Sequence, residues 1–153
     1  MIVGEVGVDT SYQTDALQAS LIKRVRRRLH DNPGDTPSFE LGEGGDRDRR
    51  KRPVMGRIAA RGADLAVVTS DNPRTEDPGR VIDEIEEGMG DVAHLRIEDR
   101  REAIHRALAL AQPGDSVLLA GKGHETYQVL GTEKVPFDER EIVLTALRTM
   151  RVA

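Results

Sequence analysis

From Pro53 to its end, the chain alternates short apolar runs with helical stripes, and this alternation limits the possible folds more than any other feature. Pro53 opens a short helix carrying Val54, Ile58 and Ala59, and Asp64 to Thr69 (DLAVVT) reads as a buried strand. Asp77 and Pro78 supply an N-cap and a first-turn proline for a helix whose apolar stripe is Val81, Ile82, Ile85 and Met89. VAHLRI (Val92 to Ile97) is the next strand. REAIHRALALAQ then repeats apolar residues at helical spacing until Pro113-Gly114 stops it, and Ser116 to Ala120 (SVLLA) is a third strand. Tyr127 to Val135 is expected to form a small hairpin turning near Gly131. Asp138 with Glu141 resembles a capping box for a last helix through Ile142, Leu144, Leu147 and Met150. Such an order predicts an α/β fold with a mostly parallel sheet and right-handed crossovers.

Open parallel sheets bind ligands beyond the carboxyl ends of their strands. DNPR (Asp71 to Arg74) follows one such end and GKGHE (Gly121 to Glu125) follows another, so two polar loops converge on one rim. Arg74 offers a planar fork for a carboxylate or phosphate, whereas Asp71, Asn72 and Glu125 accept from an ammonium. That combination suits a zwitterion. Pro73 stiffens its loop, and Gly121 and Gly123 admit close backbone approach. Each motif alone has a plainer reading: Asn-Pro is a common turn, and GKGHE suits a generic strand-to-hairpin connection. No G-x-x-x-x-G-K-[ST] phosphate loop occurs, and His124 has no ligand-spaced partner among His30, His94 and His105.

The remaining properties narrow the partner. With 153 residues the chain suits one domain. Its 27 acids and 23 bases leave a net charge of -4, too weak a field to draw it onto nucleic acid or an anionic membrane. The basic run RDRRKRP (Arg47 to Pro53) has no interleaved aromatics and reads as a loop or a solvated face. The absence of cysteine removes thiolate chemistry and fits a reducing cytoplasm. No apolar run is long enough to span a membrane, and MIVGEVGVDTSYQ has no export pattern. A small-molecule partner is expected, with no nucleic acid and no membrane.

GGDRDRRKRPVMG, TSDNPRTEDP, AGKGHETYQ and the closing FDERE, in that order and spacing, resemble the C-terminal domain of the Mur ligases. The likeness is strongest to the branch that adds meso-diaminopimelate to UDP-N-acetylmuramoyl-L-alanyl-D-glutamate, and it is dense from Gly44 onward. It implies a Rossmann-like fold and an ATP-dependent amide ligation through an acyl phosphate, in which this domain delivers the amine. Carried over motif by motif, Arg47 of GGDR, Asp71, Asn72, Pro73 and Arg74 of DNPR, and Gly121 and Glu125 of GKGHE are the residues implied to hold meso-diaminopimelate. Arg74 and Arg47 would then bind carboxylates and Asp71 or Glu125 the distal ammonium, with Arg74 selecting diaminopimelate over lysine.

Departures from the family set further expectations. The UDP-substrate and ATPase domains of a complete ligase have no counterpart in these 153 residues. ATP and Mg2+ are therefore expected to serve a complete ligase and not to bind this chain tightly. The chain itself is expected to be a truncated or split ligase, partnered by a separate chain carrying the ATPase domain, or a stand-alone amino-acid-binding or docking module. VDTSYQTDAL (Val8 to Leu17) keeps Asp9, implied to lie near the nucleotide, but has Tyr12 and Thr14 where the family has histidine and proline. DTPSFELGE stands where an apolar strand is expected, and Pro37, Glu40 and Glu43 interrupt it. Residues 1–43 are accordingly assigned to a degenerate N-terminal part, and 44–153 to the domain proper.

Overall fold

The computed structural model describes residues 19–26, 49–112, 115–122 and 124–152. Its elements are β1 (Ala19–Arg26), α1 (Lys51–Gly62), β2 (Leu65–Ser70), α2 (Pro78–Glu86), β3 (Leu95–Arg96), α3 (Arg100–Leu110), β4 (Asp115–Leu119), β5 (Tyr127–Leu130), β6 (Glu133–Pro136) and α4 (Glu139–Val152). The expected elements are present, with boundaries shifted by a few residues.

The local reasons are visible in the caps. Asp77 accepts from the Arg80 amide at 2.9 Å, with Pro78 opening α2. Asp99 accepts from the Glu102 amide at 2.8 Å at the start of α3. Asp138 accepts from the amides of Arg140 and Glu141 before α4. Each carboxylate satisfies amides that the first helical turn leaves unpaired and faces the positive end of the helix dipole.

The main sheet has the order β3-β2-β1-β4. β2 and β3 are parallel, and β1 is antiparallel to both β2 and β4, so β2, β3 and β4 all run in one direction. β2 is buried along nearly its whole length because helices cover both faces. Val67 packs with α3 and α4 through Ala103, Ile104, Ala107, Leu108, Ile142, Val143 and Ala146. Its neighbours Ala66 and Val68 point the other way, onto Ala59 of α1 and Val81, Ile82 and Ile85 of α2. This three-layer arrangement is the Rossmann-like α/β fold, completed by the β5-β6 hairpin.

β1 is the element that sequence reasoning missed. Three of the eight residues of ASLIKRVR are basic, which conceals a central strand. Its register, Ala19 opposite Ser70 and Ile22 opposite Leu119, inserts it between the strands that carry the two polar loops. A segment from within residues 1–43 thus joins the same sheet as the rest. The interrupted segment DTPSFELGE lies outside the described residues.

Candidate functional site

β2 ends where its last side chains turn onto a neighbouring loop: Ser70 Oγ donates to the Glu98 carbonyl at 2.8 Å and Thr69 Oγ1 to the same oxygen at 3.2 Å. The chain then leaves the sheet as Asp71-Asn72-Pro73-Arg74 and lies along β5. Gln128 Nε2 donates to the Asp71 carbonyl at 2.9 Å, and the Val129 amide donates to Asn72 Oδ1 at 2.9 Å. The Arg74 amide donates to the Val129 carbonyl at 3.1 Å, and the Gly131 amide to the Arg74 carbonyl at 2.9 Å. DNPR is therefore held against the hairpin, with a single parallel bridge between Arg74 and Leu130.

The second loop reaches the same place from β4. Gly121 turns it with φ +123°, a conformation open to glycine and strained for other residues. Lys122 then points inward, its side chain wholly buried, with Nζ 2.6 Å from Asp71 Oδ1. That contact is one of charge, since no donor is aligned on Asp71 Oδ1. Lys122 Nζ donates instead to Asn72 Oδ1 at 3.1 Å and to the Tyr127 carbonyl at 2.6 Å. Asn72 Nδ2 donates to Glu125 Oε2 at 2.9 Å, which closes the network. A buried ammonium without such partners costs several kcal/mol, so this hub holds the two loops together.

Six of the residues singled out from sequence thus lie together on one rim: Asp71, Asn72, Pro73, Arg74, Gly121 and Glu125. They are not equally available. Asp71, Asn72 and Pro73 are buried, and Asp71 is engaged by Lys122. Glu125 keeps a side chain 30% exposed. Arg74 is exposed, and its guanidinium has no partner among the described residues. The acids that a merely local role for Arg74 would use are committed elsewhere: Glu76 to Arg52, and Asp77 to the cap of α2. Arg74 also has φ +54°, an uncommon backbone for a non-glycine residue. Arg47 and Asp9 lie outside the described residues.

Lys122 and Gln128 were the groups sequence reasoning overlooked. The signal for Lys122 was its place between two glycines at a strand end, which was read only as backbone freedom. Two arginines of the basic run, in turn, are ion-paired: Arg52 Nη1 donates to Glu84 Oε2 of α2 at 2.6 Å, Arg52 Nη2 reaches Glu76 Oε2 at 3.0 Å, and Arg49 also pairs with Glu84. Hydrogen bonding from Arg49, then from Arg52, holds the Glu84 carboxyl at about 2, well below its ordinary range, against an opposing effect of burial. Among the described residues no group of three or more histidine or acidic side chains is placed to hold a metal ion.

The sequence pattern of the Mur ligase glutamate ligase domain matches residues 13–123. The chain belongs to the Mur ligase family. This Mur ligase domain is 61% identical over 143 residues to a UDP-N-acetylmuramoyl-L-alanyl-D-glutamate--2,6-diaminopimelate ligase from Synechocystis sp., an overlap covering 93% of this chain and 27% of that enzyme. It is 45% identical over 146 residues to the enzyme of the same name from Geobacillus thermodenitrificans, covering 94% of this chain and 29% of the relative. A solved structure of a ligase of that name superposes with a TM-score of 0.65 at 43% identity, covering 72% of this chain and 23% of that one. The domain therefore spans between a quarter and a third of the length of these relatives. No helix among the described residues is long and apolar enough to cross a membrane.

Proposed function

We propose that this domain docks the incoming amino acid, meso-diaminopimelate, for an ATP-dependent amide ligase acting on UDP-N-acetylmuramoyl-L-alanyl-D-glutamate in peptidoglycan synthesis. The observation that carries the proposal is the unequal state of the rim charges. Lys122 and Asp71 satisfy each other in the interior, while the Arg74 guanidinium and one oxygen of Glu125 remain without partners among the described residues. A free guanidinium and a carboxylate with one free oxygen on one anchored rim match the carboxylate and ammonium of an amino acid. The names of the similar enzymes, which are 2,6-diaminopimelate ligases, support meso-diaminopimelate as that amino acid.

In such a reaction the ligand's reacting amine must be neutral and aimed at an activated carbonyl, while its other groups are gripped. Arg74, with Arg47, serves the carboxylates, and Glu125 serves the distal ammonium. Asn72, Pro73, Asp71 and Gly121 shape the loops that present them. Positioning of this kind contributes several kcal/mol to barrier reduction. ATP and Mg2+ supply carboxyl activation in the complete ligase.

Arg74 discriminates because diaminopimelate carries a carboxylate beside its distal amine and lysine does not. Losing such a charge-assisted pair costs about 2 to 5 kcal/mol, or roughly thirtyfold to several-thousandfold in preference. With the domain grafted onto an intact ATPase half, Arg74→Ala is expected to erase most of the preference for meso-diaminopimelate over lysine. An unchanged preference would remove Arg74 as the selector.

A further inference from the structure

We infer that Lys122 is a positioning residue for amino-acid recognition: by fixing which way the Asn72 amide faces, it determines which oxygen Glu125 presents to a ligand ammonium. The inference rests on the rim being an amino-acid site, as proposed above. Asn72 lies between two donors on one side and an acceptor on the other. Lys122 Nζ, at 3.1 Å, and the Val129 amide, at 2.9 Å, both point at Asn72 Oδ1, while Nδ2 donates to Glu125 Oε2 at 2.9 Å. An ammonium has three donors and no acceptor, so a reversed Asn72 would set its NH2 against Lys122 and the Val129 amide and leave Glu125 Oε2 facing a carbonyl oxygen. The buried cation and the Val129 amide together fix one orientation. Glu125 is then held by Oε2, and Oε1 remains without a partner among the described residues.

Lys122 does not do this as a ligand-binding group. Its side chain is wholly buried and its ammonium already meets Asp71, Asn72 and the Tyr127 carbonyl and lies 3.7 Å from Glu125 Oε2. Its influence reaches Glu125 from the interior in two ways, through the Asn72 amide and through its own charge beside Oε2. With the lysine gone, Asn72 Oδ1 loses its charged donor, and the Glu125 carboxylate is held less firmly in one direction.

The test uses calorimetric titration of the chain with meso-diaminopimelate, with circular dichroism recording the fold of each variant. Lys122→Met is expected to weaken binding about tenfold, the loss of one well-directed charge-assisted hydrogen bond. Glu125→Gln is expected to weaken it by at least as much. Lys122→Met added to Glu125→Gln should then cost less than about threefold more, because the two act in series. Glu84→Gln, remote from this network, should lower the unfolding midpoint without changing affinity. If Lys122→Met does not fold, the variant combining Asp71→Asn with Lys122→Met removes both buried charges, and it should show the same loss and the same coupling to Glu125. A folded lysine variant that binds like the parent, or a loss fully additive with Glu125→Gln, would overturn the inference while leaving the amino-acid site intact. A parent chain that does not bind, or Arg74→Ala and Glu125→Gln variants that both bind like the parent, would instead overturn the amino-acid reading and this inference with it.

Discussion

Two charge clusters lie in this domain, one around Lys122 at the sheet rim and one around Arg52 between α1 and α2. Both join segments distant in sequence, and both contain a buried cation with two acids. In the α1–α2 cluster every charge is used: Arg52 and Arg49 bind Glu84, and Arg52 also binds Glu76. In the rim cluster the interior charges are paired, while the outer ones, on Arg74 and Glu125, retain unused hydrogen-bonding capacity. What separates the proposed binding site from a structural clamp here is unsatisfied capacity held on a rigid support, not density of charge.

The sharpest way to break this contrast is to remove the acid beneath the rim. Asp71→Ala leaves the wholly buried Lys122 ammonium without its counter-charge and is expected to destabilise the fold by about 3–5 kcal/mol. A urea midpoint shifted by only the amount typical of a surface substitution would place Asp71 outside the hub.

On the clamp side, the contact between α1 and α2 depends on a missing side chain. A Cβ at Gly56 would lie 1.9 Å from the Ile85 carbonyl oxygen, so the helices must separate to admit it. Gly56→Ala is expected to cost about 1–3 kcal/mol in thermal or urea unfolding, with amino-acid affinity unchanged in the folded protein. A loss of affinity comparable to that of Glu125→Gln would show that the two clusters act as one.

A smaller effect follows from Glu84. Its folded-state pKa of about 2 lies below its ordinary 4.5, so its contribution is fully present above pH 4.5 and is lost as pH falls toward 2. The contribution is about 1 kcal/mol, because Arg49 is exposed to solvent. Stability measured between pH 5 and pH 2 should fall less steeply in Glu84→Gln than in the parent. Identical slopes would mean that the clamp carries no linked charge energy.

The smallest stability effect belongs to Arg74, the residue proposed to matter most for recognition. Its φ of +54° favours glycine, so Arg74→Gly is expected to leave stability unchanged or raise it by up to about 1 kcal/mol. A marked destabilisation would assign Arg74 to the structural class of Arg52.

Sequence by itself determined the layered α/β pattern, the helix starts at Asp77 and Asp138, the hairpin turn and the placement of DNPR and GKGHE at strand ends. These features depend on periodicity, caps and turn chemistry within a few residues of each other, and such signals survive in a linear reading. Only the tertiary structure decided that β1, with its three basic residues, runs antiparallel through the centre of the sheet. It also decided that Lys122 occupies Asp71, that Asn72 faces Glu125 across 53 residues of chain, and that Gln128 reaches back 57 residues to Asp71. Those pairings depend on which groups meet after the sheet has formed, and a residue's type fixes what it can bond to, not which partner arrives first.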